Sequence, residues 1–162
     1  MTKVLVTRVG PVDVGWSSWA VGLLKELYGR VEEPPYLVYV VVVHDAPTFR
    51  SLVSSIHEEV GALSPPAYEE YEAVHDAYTG APRIVLCEEL IRRRPMRAQA
   101  GAILHEGAHS VLHGELRFYE VSLSLASRLG LGGLSLSALY LLSVAVKDYE
   151  ATRLLVDVGF RG

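Results

Sequence analysis

The run Tyr36-Leu-Val-Tyr-Val-Val-Val-Val43 follows directly on Pro34-Pro35. Valine branches at Cβ and suits a pleated strand better than a helix, and no polar residue alternates along the run. It predicts a strand buried on both faces. Working back from it, Ser17 or Ser18 is expected to cap a helix reaching about Tyr28, with Gly29 just past its end. Met1 to Val9 carries Lys3 and Arg8 within an alternating apolar stretch, which predicts an opening strand rather than a signal peptide. Working forward, Thr48 can cap a helix from about Phe49 to Val60, stopped by Gly61. Ser64-Pro65-Pro66 is a start for a short acidic helix containing Tyr68 to Tyr71. Thr79 to Pro82 reads as a turn and Arg83 to Cys87 as a short strand after it.

From there the pattern is helical. One helix is expected from about Pro95 to His113, stopping near Gly114. A second spans about Glu115 to Leu129 and is broken by Gly130 to Gly133; a third runs from Ser135 to Val158, with Gly159 as its stop. The expected class is α+β, a small N-terminal sheet with helices followed by a mainly helical C-terminal half.

The totals bound the function. The chain has 162 residues, half of them apolar, with 15 basic and 19 acidic side chains and a pI near 5.8. That is enough for one domain, 1–162, to bury a core unaided. The single cysteine, Cys87, excludes an intramolecular disulfide and any metal site built from several thiolates. Mild acidity argues against a nucleic-acid partner. The most apolar region, Leu131 to Val146, is shorter than the roughly 18–20 residues that cross a bilayer and contains Gly132 and Gly133. No membrane span is expected, and the chain reads as cytoplasmic.

The chemistry lies in His105-Glu106-Gly107-Ala108-His109, inside the Pro95–His113 helix. Histidines four apart lie one turn apart on one face, close enough for both imidazoles to bind one ion. Glu106 is rotated about 100° from His105, so its carboxylate can flank the metal without ligating it and act as general base. This is the H-E-x-x-H signature of zinc peptidases, which a shuffled chain of this composition would show roughly once in fifty trials.

A catalytic zinc site takes three protein ligands. Downstream candidates are His113, Glu115, Glu120, Asp148, Glu150 and Asp157. Along the last helix, Leu141, Val144, Ala145, Ala151, Leu155, Val156 and Val158 form one broad apolar arc, with Asp148 and Thr152 near its middle. A lone aspartate on a buried face needs a cation or several donors. Glu150 falls on the polar side, where Lys147 and Arg153 can pair with it. Asp148 is therefore the favoured third ligand and Glu150 its rival. His113 is one turn beyond His109, and three ligands along one straight helix would spread about 12 Å. It is expected beside the metal without ligating it, orienting a ligand, or simply satisfied at the helix end.

Thr79 to Phe160 resembles the gluzincin metallopeptidases of the HtpX and CaaX-prenyl-protease type. Thr79-Gly-Ala-Pro-Arg-Ile-Val-Leu-Cys87 is similar to that family's glycine-bearing strand, His105 to His109 with His113 to its H-E-x-x-H followed by a further histidine, and Lys147-Asp-Tyr-Glu-Ala-Thr-Arg153 to its E-x-x-x-D segment. The resemblance implies a zincin-like fold in a small soluble form, with Zn2+ as cofactor. It places the family's ligand glutamate on Asp148 and its supporting aspartate on Thr152. Both are departures: Asp148 is one methylene shorter, and Thr152 offers only a hydroxyl.

The expected function is a zinc metallopeptidase acting on peptides or unfolded chains, with Glu106 as general base and then acid. An extended peptide would lie alongside Arg83 to Cys87 as the exposed sheet edge. Tyr119, Tyr140, Tyr149 and Arg153 are chemically able to stabilise an oxyanion. The two departures also permit a catalytically weak or inactive zinc module with a structural or interaction role, or a peptidase held inactive until its terminus or a partner moves. A C-terminal substrate-binding subdomain after Gly162 is not expected. His44, His57 and His75 read as isolated surface or turn histidines, Cys87 as a packed side chain, Arg92 to Arg94 with Arg97 as a solvated basic corner, and Tyr68 to Glu72 as a solvated helix face.

Overall fold

A computed structural model describes residues 1–60, 71–119 and 136–160 of the chain. Within them the fold is α+β. Four strands, β1 (Lys3–Val9), β2 (Leu37–Val43), β3 (Ala73–Asp76) and β4 (Arg83–Cys87), form one mixed sheet in the order β1-β2-β4-β3. Helices α1 (Val14–Arg30), α2 (Ala46–Val60), α3 (Glu88–Arg92), α4 (Met96–Leu112) and α5 (Leu136–Asp157) surround it.

β2 is central and parallel to both β1 and β4. Val38, Val40 and Val42 are fully buried under α1 and α4, and Val43 is buried with α2 on the other face. Burial on both faces therefore holds at the C-terminal end only. α2 leaves the other end uncovered, and Tyr39 is 38% exposed there.

The strand that the sequence reading missed is β3. It pairs antiparallel with β4 and forms the sheet's outer edge, so Arg83 to Cys87 is an inner strand and not the edge. Arg83 holds the two together with a bidentate bond to Asp76, Nε to Oδ2 at 2.8 Å and Nη2 to Oδ1 at 3.0 Å.

Two helix starts are also corrected. α1 is capped by Asp13, whose Oδ1 accepts from the Trp16 N–H at 2.9 Å, one turn ahead of the expected serines. Ser17 is instead buried within the first turn, where its hydroxyl accepts from Arg8 Nε at 2.7 Å, and the helix runs past Gly29 to Arg30. Asp45, not Thr48, caps α2, its Oδ1 accepting from the Thr48 N–H. α4 and α5 lie within two residues of expectation. Gly159 ends α5 as foreseen, with φ of 88°: its N–H reaches Val156 O, and that of Phe160 reaches Leu155 O, which closes the last turn. At the expected start of the Glu115–Leu129 helix, a single 3-10 turn, Leu116–Phe118, is found. The rest of that helix, its glycine break and most of the 64–71 helix fall outside the described residues. Among the described residues no helix is long and apolar enough to cross a membrane.

α4 is the element that carries the site, and two contacts position it. On one side it packs on α1, where Gly107 allows the leucine tips of Leu24 and Leu27 to come close to its backbone. On the other side α5 crosses it, with Ala151 fully buried. A small residue at that crossing lets the two backbones approach.

Candidate metal centre

His105 and His109 share one face of α4, and Asp148 is presented to them by α5. The Nε2 atoms of the two histidines are 3.1 Å apart. Asp148 Oδ1 is 3.2 Å from His109 Nε2 and 3.6 Å from His105 Nε2. This is the only group of three or more such side chains with ligand-metal spacing among the described residues.

Those distances test whether a metal fits. Zinc bonds of about 2.0–2.1 Å at tetrahedral angles put neighbouring donor atoms about 3.3 Å apart. The three observed edges bracket that value. The donors also suit the ion chemically, because a ligating imidazole must be neutral and a ligating carboxylate ionised. Burial, reinforced by the positive charge that His105, His113 and Lys147 can carry, lowers the His109 pKa to about 3, so this imidazole is neutral at physiological pH.

Glu106 is outside the triangle, as its helical phase requires. It is half-buried, and burial together with the negative charge of Asp148 and Glu72 pushes its carboxyl up to about 8. A divalent cation nearby acts in the opposite direction and favours the ionised form.

The remaining expectations for the last helix divide. Asp148 faces the histidines, but not because it lies on a buried arc. It is half-exposed, and Leu141, Leu142, Val146 and Val156 are exposed as well. Glu150 lies neither in the triangle nor in the expected surface pairs: its Oε2 is 2.9 Å from His113 Nε2, while Arg153 pairs with Asp157. His113 is 4% exposed at the C-cap of α4, and its Nδ1 is 3.2 Å from His109 Nδ1. It thus sits beside the triangle without joining it. Thr152 is exposed and forms no hydrogen bond to a ligand histidine among the described residues.

His75, read from the sequence as an isolated surface or turn histidine, belongs beside the triangle instead. It lies on β3, its ring stacked on that of His109 with centroids 6.1 Å apart and planes 12° from parallel. Burial holds its pKa well below the usual value, and the charges of His109, His113 and Lys147 add to this. Its Nδ1 meets the Tyr119 hydroxyl, and its Nε2 has no hydrogen-bond partner among the described residues. No local spacing signalled it, because it comes from a four-residue strand thirty positions before His105. Of the four oxyanion candidates, Tyr119 is the one linked to the site, through His75, and the Lys147 ammonium sits 4.1 Å from its ring centroid. Tyr149 and Arg153 are exposed; the Tyr140 side chain is outside the description.

The other discounted groups are placed as follows. His57 Nδ1 bonds Val53 O at 2.8 Å, His44 is partly exposed beside Glu88, and Cys87 is fully buried. Three arginines of the basic corner are paired, Arg92 on Glu88 and Asp13, Arg93 on Glu89, and Arg94 on Glu72, and Arg97 is exposed. No protein-family model, no curated protein sequence and no solved structure matches this chain.

Proposed function

We propose that this chain is a zinc-dependent peptidase with a zincin-like arrangement, in which His105, His109 and Asp148 hold the ion. The observation that carries the reading is the triangle of ligand atoms with edges of 3.1, 3.2 and 3.6 Å. A zinc ion in that position supplies a Lewis acid that polarises a carbonyl and makes water more acidic.

The chain's own residues supply the rest. The Glu106 carboxylate takes a proton from the attacking water and returns it to the departing amine. β3 offers its outer edge to an extended peptide, which would pair through main-chain hydrogen bonds as a fifth strand. Peptides and unfolded chains are the substrates that fit such an edge, because a folded domain seldom offers an unpaired extended segment.

The non-catalytic alternative rests on Asp148 and Thr152 and predicts a zinc site with no hydrolysis. The test is zinc content together with cleavage of a fluorogenic peptide mixture by wild type and by Glu106→Gln. We expect about one zinc per chain in both and hydrolysis only in wild type. Equal cleavage by both would refute the role of Glu106, and zinc without cleavage in wild type would favour the alternative.

A further inference from the structure

Glu150 and His113 stand behind His109 and neither ligate nor act on substrate. Glu150 Oε2 lies 2.9 Å from His113 Nε2, and His113 Nδ1 lies 3.2 Å from His109 Nδ1. We propose that Glu150 and His113 form a two-link relay that fixes the tautomer of His109, so that its Nε2 presents a lone pair to the metal. The proposal rests on the metal reading above.

The proton placement follows from the end of the chain inward. An ionised carboxylate only accepts, so His113 must carry its proton on Nε2 and donate it to Glu150. That leaves a lone pair on His113 Nδ1, which needs a donor. The facing atom is His109 Nδ1, so the His109 proton sits there and donates to His113. His109 Nε2 is then bare. Placing that proton on Nε2 instead would set two lone pairs face to face across 3.2 Å. The bare His109 Nε2 can accept from His105 Nε2–H at 3.1 Å, and Asp148, half-exposed, draws its donors from water.

Thr152, on the same helix, is exposed and makes no hydrogen bond to a ligand histidine among the described residues. Glu150 is two residues earlier on α5 and reaches the ligand through an intervening imidazole. A group that fixes a ligand histidine from behind is worth roughly ten- to a hundredfold in metal affinity.

Two readouts test this. The first is zinc affinity by competition with a chromophoric chelator for wild type, Glu150→Ala, Glu150→Gln and His113→Phe. We expect a loss of roughly ten- to a hundredfold in Glu150→Ala and His113→Phe, and recovery to near wild type in Glu150→Gln, whose amide oxygen can accept the same proton. The second is nitrogen-15 NMR of the metal-free chain. We expect a single His109 tautomer protonated on Nδ1 in wild type and a mixture in Glu150→Ala. Glu150 is half-exposed, so its variants are expected to fold, which circular dichroism checks. Unchanged zinc affinity in Glu150→Ala, or His109 protonated on Nε2 in wild type, overturns the relay. A wild type that takes up no zinc overturns the metal reading instead, and the metal-free tautomer then still decides the relay.

Discussion

Two glycines of α4 face opposite surroundings, and the same substitution at each should change stability in opposite directions. A Cβ at Gly107 would lie 2.7 Å from Leu24 Cδ2 and 2.8 Å from Leu27 Cδ2, and both leucines are fully buried. Carbon atoms in contact prefer about 3.5–4.0 Å, so each leucine tip must retreat by roughly 1 Å. Overpacking of this kind costs about 1–3 kcal/mol, against which alanine returns about 1 kcal/mol of helix propensity. The net expectation for Gly107→Ala is a loss of about 1 kcal/mol. A Cβ at exposed Gly101 meets nothing within 4 Å, so Gly101→Ala should keep the whole propensity gain. The two variants should then differ by about 2 kcal/mol, or about 4–8 °C in Tm for a chain of this size. Urea and thermal unfolding of metal-free protein measure both. Adding Leu24→Ala to Gly107→Ala should cost less than the sum of the single changes, because the new methyl enters the space vacated. If the two glycine variants gain stability equally, the close approach of α1 to α4 at Gly107 is wrong, and so is the placement of the histidine face derived from it.

Replacing Asp148 with Ala should lower zinc affinity far more than replacing Thr152 with Ala, by chelator competition; the reverse order would move the third ligand off Asp148. In metal-free protein the folded-state pKa of Glu106 is raised from 4.5 to about 8, so its contribution is present below about 4.5 and lost as pH rises through 8. That of His109 is lowered from 6.5 to about 3, so its contribution is lost as pH falls below 6.5, with His75 and His113 acting in the same direction. Urea midpoints under chelator should therefore rise to about pH 6.5 and fall between 6.5 and 8; a midpoint still climbing to pH 8 would contradict the burial of Glu106. An ion held by the proposed triangle would tie α5 to α4 through Asp148, so saturating metal should slow hydrogen exchange in residues 141–150 more than in 152–158, which Ala151, Leu155 and the Gly159 turn already anchor. Equal slowing in both stretches would argue against that tie.

What was legible in the sequence had short range. The valine run, the Arg83–Cys87 strand and the two long helices each carry their signal within one window, and each was found within two residues. β3 carries none. Ala73-Val-His-Asp is too short for a periodicity, and it is held as a strand by the Arg83–Asp76 pair and by β4, from beyond the next turn. Missing it misplaced the sheet edge and hid His75. Ser17 or Ser18 was expected as the cap in place of Asp13, and the Val14-Gly15 pair after Asp13 is a poor opening for a helix by propensity. The aspartate's bond to Trp16 outweighs that preference.

α5 shows why a side chain can be assigned the right neighbours from an incorrect premise. The helical phase placed Asp148 near the middle of an apolar arc, yet Leu141, Ala145 and Val156 of that arc are exposed and Ala151 is its one fully buried member among the described residues. Leu142, Val146 and Leu154 put further apolar residues outside that arc, so phase alone cannot choose which side meets the core. The choice is made by size: alanine at 151 fits the crossing with α4, and the residue one turn before it then faces the histidines. The same crossing turns Glu150 toward His113 and away from Lys147 and Arg153, its partners by spacing on the helix. Two histidines on one turn can be read from five letters of sequence. Asp148 and Glu150 reach them only through the contact of two helices about forty residues apart, where the fully buried residue of α5 is a small one, Ala151.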